Sequence, residues 1–419
     1  MAPFQVLAAL VTLAAVFSYL NYRFLRLPQT IGLMVVSLAA SLLLIAAGEF
    51  FPPVDDAARR LIDSINFTET LLHGMLGFLL FAGALHLDLH DLRRQRAVII
   101  TLASVGVLIS TAIVGLLMWL VLHAMHMPVP LIHCFVFGAL ISPTDPIAVL
   151  AILKQLRVPK DLETQICGES LFNDGVGVVV FLALLSFAGP SGTPQHAGFA
   201  HVGLIFLREA IGGGIFGLVI GLVAFRMLKR VDQYQVEILI SLALVTGGYA
   251  LSEYLHVSGP IAMVVAGLII GNQGRQFAMS EKTQQNLDLF WELVDDFLNA
   301  VLFVLIGIEV LLIRWEIRYF LAGLAAICVV LLARLVSVWL PTTFLKSRAP
   351  MPRHAVRLLT WGGLRGGISV ALALSLSSPH RDPSNFRLDL LLVMTYVVVV
   401  FSIGVQGLTI GRVIRASLR

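Results

Sequence analysis

From residue 4 to residue 411 the chain is a succession of about 13 apolar stretches, each long enough to cross, or nearly cross, a hydrocarbon layer roughly 30 Å thick. They run near 4–21, 29–48, 69–87, 97–123, 130–152, 162–187, 202–225, 235–255, 258–272, 290–312, 318–342, 354–378 and 388–411. The connectors are short, and the longest, 49–68 and 188–201, contain Pro and Gly. No stretch is left over for a soluble domain. With 58% hydrophobic and 13% charged residues, the chain lies outside soluble globular composition and reads as an all-α polytopic membrane protein. The start, Met-Ala-Pro-Phe-Gln, has no basic n-region, so the first stretch is expected to be a membrane helix rather than a removable signal. Cys134, Cys167 and Cys328 lie in apolar stretches without CxxC spacing and are expected to be buried and reduced, forming neither a disulfide nor a metal site.

Orientation follows from the basic residues. The alternate loops around 23–26, 93–96, 154–160, 226–230, 275–282, 346–357 and 412–419 hold about 20 of the 29 Lys and Arg. Arg59, Arg60, Arg314, Arg318, Arg381 and Arg387 lie on the other side, with Arg208 at a helix end. This parity sets the N-terminus outside and the C-terminus inside, and it requires an odd number of helices.

Some charges remain inside apolar sequence. The stretch Cys167-Gly-Glu-Ser-Leu-Phe-Asn-Asp174 puts Glu169 and Asp174 at membrane depth with no Lys or Arg beside them. A charge there costs about 2.5–3.5 kcal/mol on insertion scales, so it demands a function or a partner. Ser170 and Asp174 are four apart and share a helix face; Glu169 and Asn173 lie on the adjacent stripe. Together they offer hydroxyl, amide and carboxylate oxygens, which suit a hard cation such as Na⁺; a self-satisfied polar patch is the alternative. Arg334 and Arg365 are also too deep to snorkel, and each wants an acid or a helix-end carbonyl.

Two segments carry helix breakers in their middles. Segment five contains Ser142-Pro-Thr-Asp-Pro146, and two prolines three apart unwind a helix. Segment twelve contains Gly362, Gly363, Gly366 and Gly367 around Arg365. Breaks seven segments apart predict two inverted six-helix repeats, helices 1–6 and 8–13, joined by helix 7, with the site where the broken helices 5 and 12 cross. Asp145 and Arg365 are then placed to offset the half-helix dipoles; Asp145 is also a candidate for direct contact with the cation.

These motifs resemble the monovalent cation:proton antiporters, in the sodium/proton exchanger branch with the Asn-Asp signature and its bacterial NhaP-like members. The matching pieces are Ser142–Pro146, Gly168–Asp174, Arg334 and Gly362–Gly366. The resemblance implies a secondary antiporter without cofactor or enzymatic activity, in a bacterial inner membrane, that exchanges Na⁺ (or Li⁺ or K⁺) for H⁺ and serves pH homeostasis. It implies that Asp174 binds cation or proton, that Asn173 supports it, that Ser170 and Thr144 are further Na⁺ ligands, and that Glu169 pairs with Arg334. It also implies a homodimer, with helices in 1–95 and 235–312 on the interface side, a moving core of 96–187 and 318–412, and 202–230 as linker. Where some relatives carry an acid in helix 3, this chain has Leu80-Phe-Ala-Gly83. No large cytoplasmic regulatory domain is expected, and no nucleic acid partner.

With Asn173 in place of a second Asp, exchange is expected to be one for one and electroneutral. A K⁺-selective exchanger is one alternative. A cation channel is another, although no repeated carbonyl filter is present. An intramembrane enzyme is disfavoured because Gly168-Glu-Ser170 lacks the flanking glycine of a nucleophile elbow. Glu292, Asp295 and Asp296 are expected at the start of segment ten, either as an acidic funnel or as helix N-terminal acids. Glu253 and the tryptophans Trp291, Trp315 and Trp361 are expected at interfacial or packing positions, and His73, His86 and His133 are candidate pH sensors.

Overall fold

The computed structural model describes residues 3–48, 74–156, 158, 160–187, 199–312, 316–345, 354–376 and 386–418. His73, Trp315, the connector 49–68, most of the connector 188–201, and the basic positions Arg59, Arg60, Arg314 and Arg381 lie outside them. The described chain is helical throughout, and its one β-type contact is an isolated antiparallel bridge.

The helices are α1 (Pro3–Leu20), α2 (Gln29–Gly48), α3 (Leu76–Leu85), α4 (Leu89–Ala124), α5 (Leu131–Ile141), α6 (Ile147–Leu156), α7 (Lys160–Phe187) and α8 (Phe199–Leu228). They continue with α9 (Tyr234–Tyr254), α10 (Gly259–Ile269), α11 (Glu281–Glu309), α12 (Ile317–Leu345), α13 (Ala355–Trp361), α14 (Gly367–Ser375) and α15 (Leu388–Ser417). Among the described residues, seven helical spans are long and apolar enough to cross a membrane; α2, α3 and α5 contribute shorter apolar helices.

Both expected interruptions are present. α5 stops at Ile141 and α6 starts at Ile147, because Pro143 and Pro146 cannot supply the backbone donors a continuous helix needs. α13 stops at Trp361 with Gly362 as its C-cap, and 363–366 is unwound up to α14. The two unwound stretches lie antiparallel, with Asp145 N donating to Leu364 O at 2.8 Å.

Two helix starts differ from the sequence reading for one reason, which is that amphipathic turns do not register as apolar. α4 begins at Leu89, eight positions before the expected 97, where Asp88 Oδ1 accepts from His90 N at 2.8 Å as an N-cap. α11 begins at Glu281, capped by the Ser280 hydroxyl. Glu292, Asp295 and Asp296 therefore sit in mid-helix, and their reading as N-terminal acids is overturned. The first half of α11 buries Leu287 and Trp291 on one side and exposes Glu292 and Asp296.

Two apolar clusters form. One joins α4, α5, α7 and α12–α15 with α1, α2 and the second half of α11. The other gathers α3, α8, α9 and α10 around Trp291 on the first half of α11. Trp291 is a packing residue whose indole N–H reaches Ser241 Oγ at 3.1 Å. α10 and the turn that continues it lie so close on α3 that a Cβ at Gly267 or Gly271 would strike the carbonyls of Phe81 and Leu85. Cys134 and Cys167 are buried, whereas Cys328 is exposed, contrary to expectation. It lies on an outward stripe of α12 with Leu321, Leu324, Leu332 and Leu335. In a bilayer, apolar residues need no burial against protein.

Candidate ion-binding site

α7 carries four polar side chains past the break in the preceding helix. Glu169, Ser170, Asn173 and Asp174 are all buried. Unwinding at Pro143 frees the N–H of Thr144, and Asn173 takes it up through Oδ1 at 3.3 Å. The Asn173 amide nitrogen in turn donates to Thr144 Oγ1 at 2.8 Å, and Thr144 Oγ1 lies 3.0 Å from Ser170 Oγ. Asn173 thus spends both ends of its amide on Thr144 and clamps the unwound stretch to α7. Ser142 satisfies itself separately, donating to Gly138 O at 2.6 Å or Ser110 Oγ at 2.9 Å.

Asp174 behaves differently. It is 8% exposed, and among the described residues no group donates a hydrogen bond to it. It faces a cavity of about 120 Å³ whose wall also includes Thr144, Asp145, Gly366 and Ser369. The α7 wall of this cavity is Cys167, Leu171 and Asp174. Ser170 and Asn173 stand one stripe away, behind Thr144, so the structure brings Asp174 and Thr144 to the cavity but does not bring Ser170 to its surface.

The two deep arginines hold the crossing together. Arg334 on α12 forms a two-pronged pair with Glu169, Nη1 to Oε1 and Nη2 to Oε2, the latter at 2.9 Å. Its Nε and Nη2 also donate to Leu359 O, at 3.3 and 3.1 Å, near the end of α13. Arg365 donates through Nη1 to the carbonyls of Ser142 and Pro143, the latter at 2.9 Å. Those carbonyls are at the C-terminal end of α5, the negative pole of that half-helix. Ser402 Oγ accepts from Arg365 N at 2.8 Å. At the opposite pole, Asp145 lies against the N-cap of α14. A side chain at Gly366 would occupy the space of its carboxylate, so only glycine admits this approach.

Asp295, raised in the sequence only as part of a possible acidic funnel or as a helix N-terminal acid, comes from mid-α11 and lines the same cavity as Asp145 and Asp174. Its signal was an amphipathic period running back from the apolar segment. Ser369 and Leu302 also line the cavity. His86 and His133 do not, and among the described residues no cluster of His, Cys, Asp and Glu is arranged to hold a metal.

The comparisons with known proteins are consistent along the chain. A family model described as "Sodium/hydrogen exchanger, transmembrane" matches residues 10–416. The Na(+)/H(+) antiporter NhaP of Pseudomonas aeruginosa is 48% identical over 417 residues, covering 98% of this chain and 96% of the relative. The Na(+)/H(+) antiporter NhaH of Halobacillus dabanensis is 36% identical over 405 residues, covering 94% and 93%. The structure of the sodium proton antiporter MjNhaP1 from Methanocaldococcus jannaschii shares the fold, with a TM-score of 0.76, 18% identity, and coverage of 100% of this chain and 99% of that one. On the match of the family model and on these identities, the chain belongs to the transmembrane sodium/hydrogen exchanger family.

Proposed function

We propose that this chain exchanges Na⁺ for H⁺ across a bacterial inner membrane by alternating access, with Asp174 as the group that holds one or the other. The observation that carries the reading is the state of Asp174: nine-tenths buried, beside a cavity at the crossing of two helix breaks, and with no hydrogen-bond donor among the described residues. A carboxylate so placed takes a proton or a cation as its partner. Thr144, with Asn173 and Ser170 behind it, supplies neutral oxygens next to that carboxylate. Asp145 adds a second acid and doubles as the cap of α14. The names of the relatives support Na⁺ and H⁺ as the ions.

Coupling needs one competition. Na⁺ entering displaces the proton of Asp174 to the same side; after the site has turned to face the other side, a proton displaces Na⁺. One proton for one cation moves no net charge. Glu169, Arg334 and Arg365 stay paired throughout and keep the crossing rigid. The Lys and Arg distribution supports a cytoplasmic C-terminus. A homodimer with a moving core of 96–187 and 318–412 completes the reading.

The test is cation-driven proton flux in proteoliposomes with Na⁺, Li⁺ and K⁺, on the wild type and Asp174→Asn. Flux in the wild type that disappears in inserted, folded Asp174→Asn is the expected result, and the cation ranking identifies the substrate. Exchange retained in Asp174→Asn would refute the assignment.

A further inference from the structure

The cavity beside Asp174 has polar groups that the exchange reading leaves unused. Ser369, on the first turn of α14, is 1% exposed, lines the cavity, and its hydroxyl has no hydrogen-bond partner among the described residues. Asn299 on α11 is 2% exposed, and neither its oxygen nor its nitrogen has a partner among them. Asn299 lies four positions after Asp295 and three before Leu302, so it shares the helix stripe that both use to line the cavity. A side chain added at Gly367 would strike Leu302, which shows how closely α11 lies against the start of α14.

Buried polar atoms without partners cost about 1–3 kcal/mol each, and proteins keep few of them. Here the Ser369 hydroxyl and the Asp295 carboxylate line one cavity of about 120 Å³, and the Asn299 amide lies on the same helix stripe as Asp295, one turn further along. Neutral oxygens near one acid are a ligand set for a monovalent hard cation.

We propose that Asp295, Asn299 and Ser369 form a second station for the transported cation, on the approach to Asp174. The station rests on the reading of Asp174 as the exchange site and extends it. Asp295, half-buried, draws the ion in; Asn299 Oδ1 and Ser369 Oγ replace water on it; the ion then passes to Asp174 and Thr144. Leu76, Leu79 and Leu80 of α3, with Leu87 just past its end, give this approach its apolar lining. Because the station binds before the proton leaves Asp174, it sets cation affinity and selectivity and leaves the exchange step to Asp174.

The experiment measures exchange against Na⁺ and Li⁺ concentration in proteoliposomes for Ser369→Ala, Asn299→Leu, Asp295→Asn and the wild type. Each variant is expected to raise the apparent KM for Na⁺ about threefold to tenfold, the span of one hydrogen-bond-strength contact, with kcat kept within about twofold. Asp295→Glu, which keeps the charge, should restore most of the affinity. Melting temperature in Na⁺-free detergent gives an independent readout. For Ser369→Ala and Asn299→Leu, which remove buried groups without a partner among the described residues, it is expected to stay unchanged or rise. Apparent KM values equal to wild type, with exchange intact, would overturn the station and leave Asp174 standing. A fall in melting temperature with unchanged KM would assign the groups to structure and overturn it equally. Absence of exchange in the wild type would fail the exchange reading itself.

Discussion

Truncating Arg334 to Ala should destabilise the protein strongly, and the size of the loss follows from its contacts. Arg334 is 6% exposed and Glu169 1%, so the variant leaves a carboxylate buried without a partner. Breaking a buried pair in this way costs about 3–5 kcal/mol. The change also strips both donors from Leu359 O, near the end of α13, for about 1 kcal/mol more. Unfolding entropy scales to about 0.9 kcal/mol per kelvin for 419 residues, so the loss appears as a fall of about 4–7 °C in Tm. The double variant Glu169→Gln with Arg334→Met removes the stranded charge and fills the volume. An intact buried pair is worth little against an apolar replacement, so only the Leu359 carbonyl and the new amide remain unsatisfied. That variant should recover to within about 3 °C of the wild type. The assay is fluorescence-detected size exclusion after heating, with a double-mutant cycle on both positions. A fall of under about 1 °C in Arg334→Ala, or a double variant no better than that single one, would refute the role of the pair as buried electrostatics.

Further outcomes are expected. Gly366→Ala should place a methyl group in the space of the Asp145 carboxylate and reduce exchange at least about tenfold without loss of membrane insertion, checked by flux against inserted protein. Asn173→Ala leaves the Thr144 N–H buried and unpaired, at about 1–3 kcal/mol, and should lower both Tm and exchange; a variant with wild-type flux would remove Asn173 from the site. Competition at Asp174 fixes the sign of the pH effect. As pH falls, the proton occupies the carboxylate more often, so the apparent KM for Na⁺ should rise, by up to about tenfold per pH unit, while flux at saturating Na⁺ changes less. One-for-one exchange should build no membrane potential in liposomes, which a voltage-sensitive dye reads directly.

Much of this arrangement was legible because breaking a membrane helix requires unusual residues. Pro143, Pro146 and the glycines around Arg365 mark the two breaks in the sequence, and a deep Arg or Glu declares that a partner exists. Spacing could not say which of two adjacent stripes of α7 faces the cavity. Ser170 and Asp174 share a helix face by position, yet the structure turns Ser170 toward Thr144 and leaves the wall to Cys167, Leu171 and Asp174. The direction of the face depends on where the unwound stretch lies, and that is a tertiary fact. Hydropathy also missed the start of α11, whose one buried stripe carries Leu287 and Trp291 between charged neighbours. With the start went the placing of Asp295, which reads as either a funnel acid or a helix-end acid until the helix is extended back to Glu281.

The contacts of Arg365 have a consequence for how the protein is made. It reaches the carbonyls of Ser142 and Pro143 across 223 and 222 positions of sequence. At about 5–20 residues per second, the ribosome delivers Arg365 about 10–45 s after the first break has emerged. Throughout that interval the uncapped end of α5 sits in the insertion machinery or the nascent bundle with its carbonyls unclaimed, so water or the translocon must solvate them. The crossing therefore closes late and nearly all at once, as one arginine arrives. Chains that stop short of Arg365 should carry an open polar seam, which membrane quality control can recognise and remove.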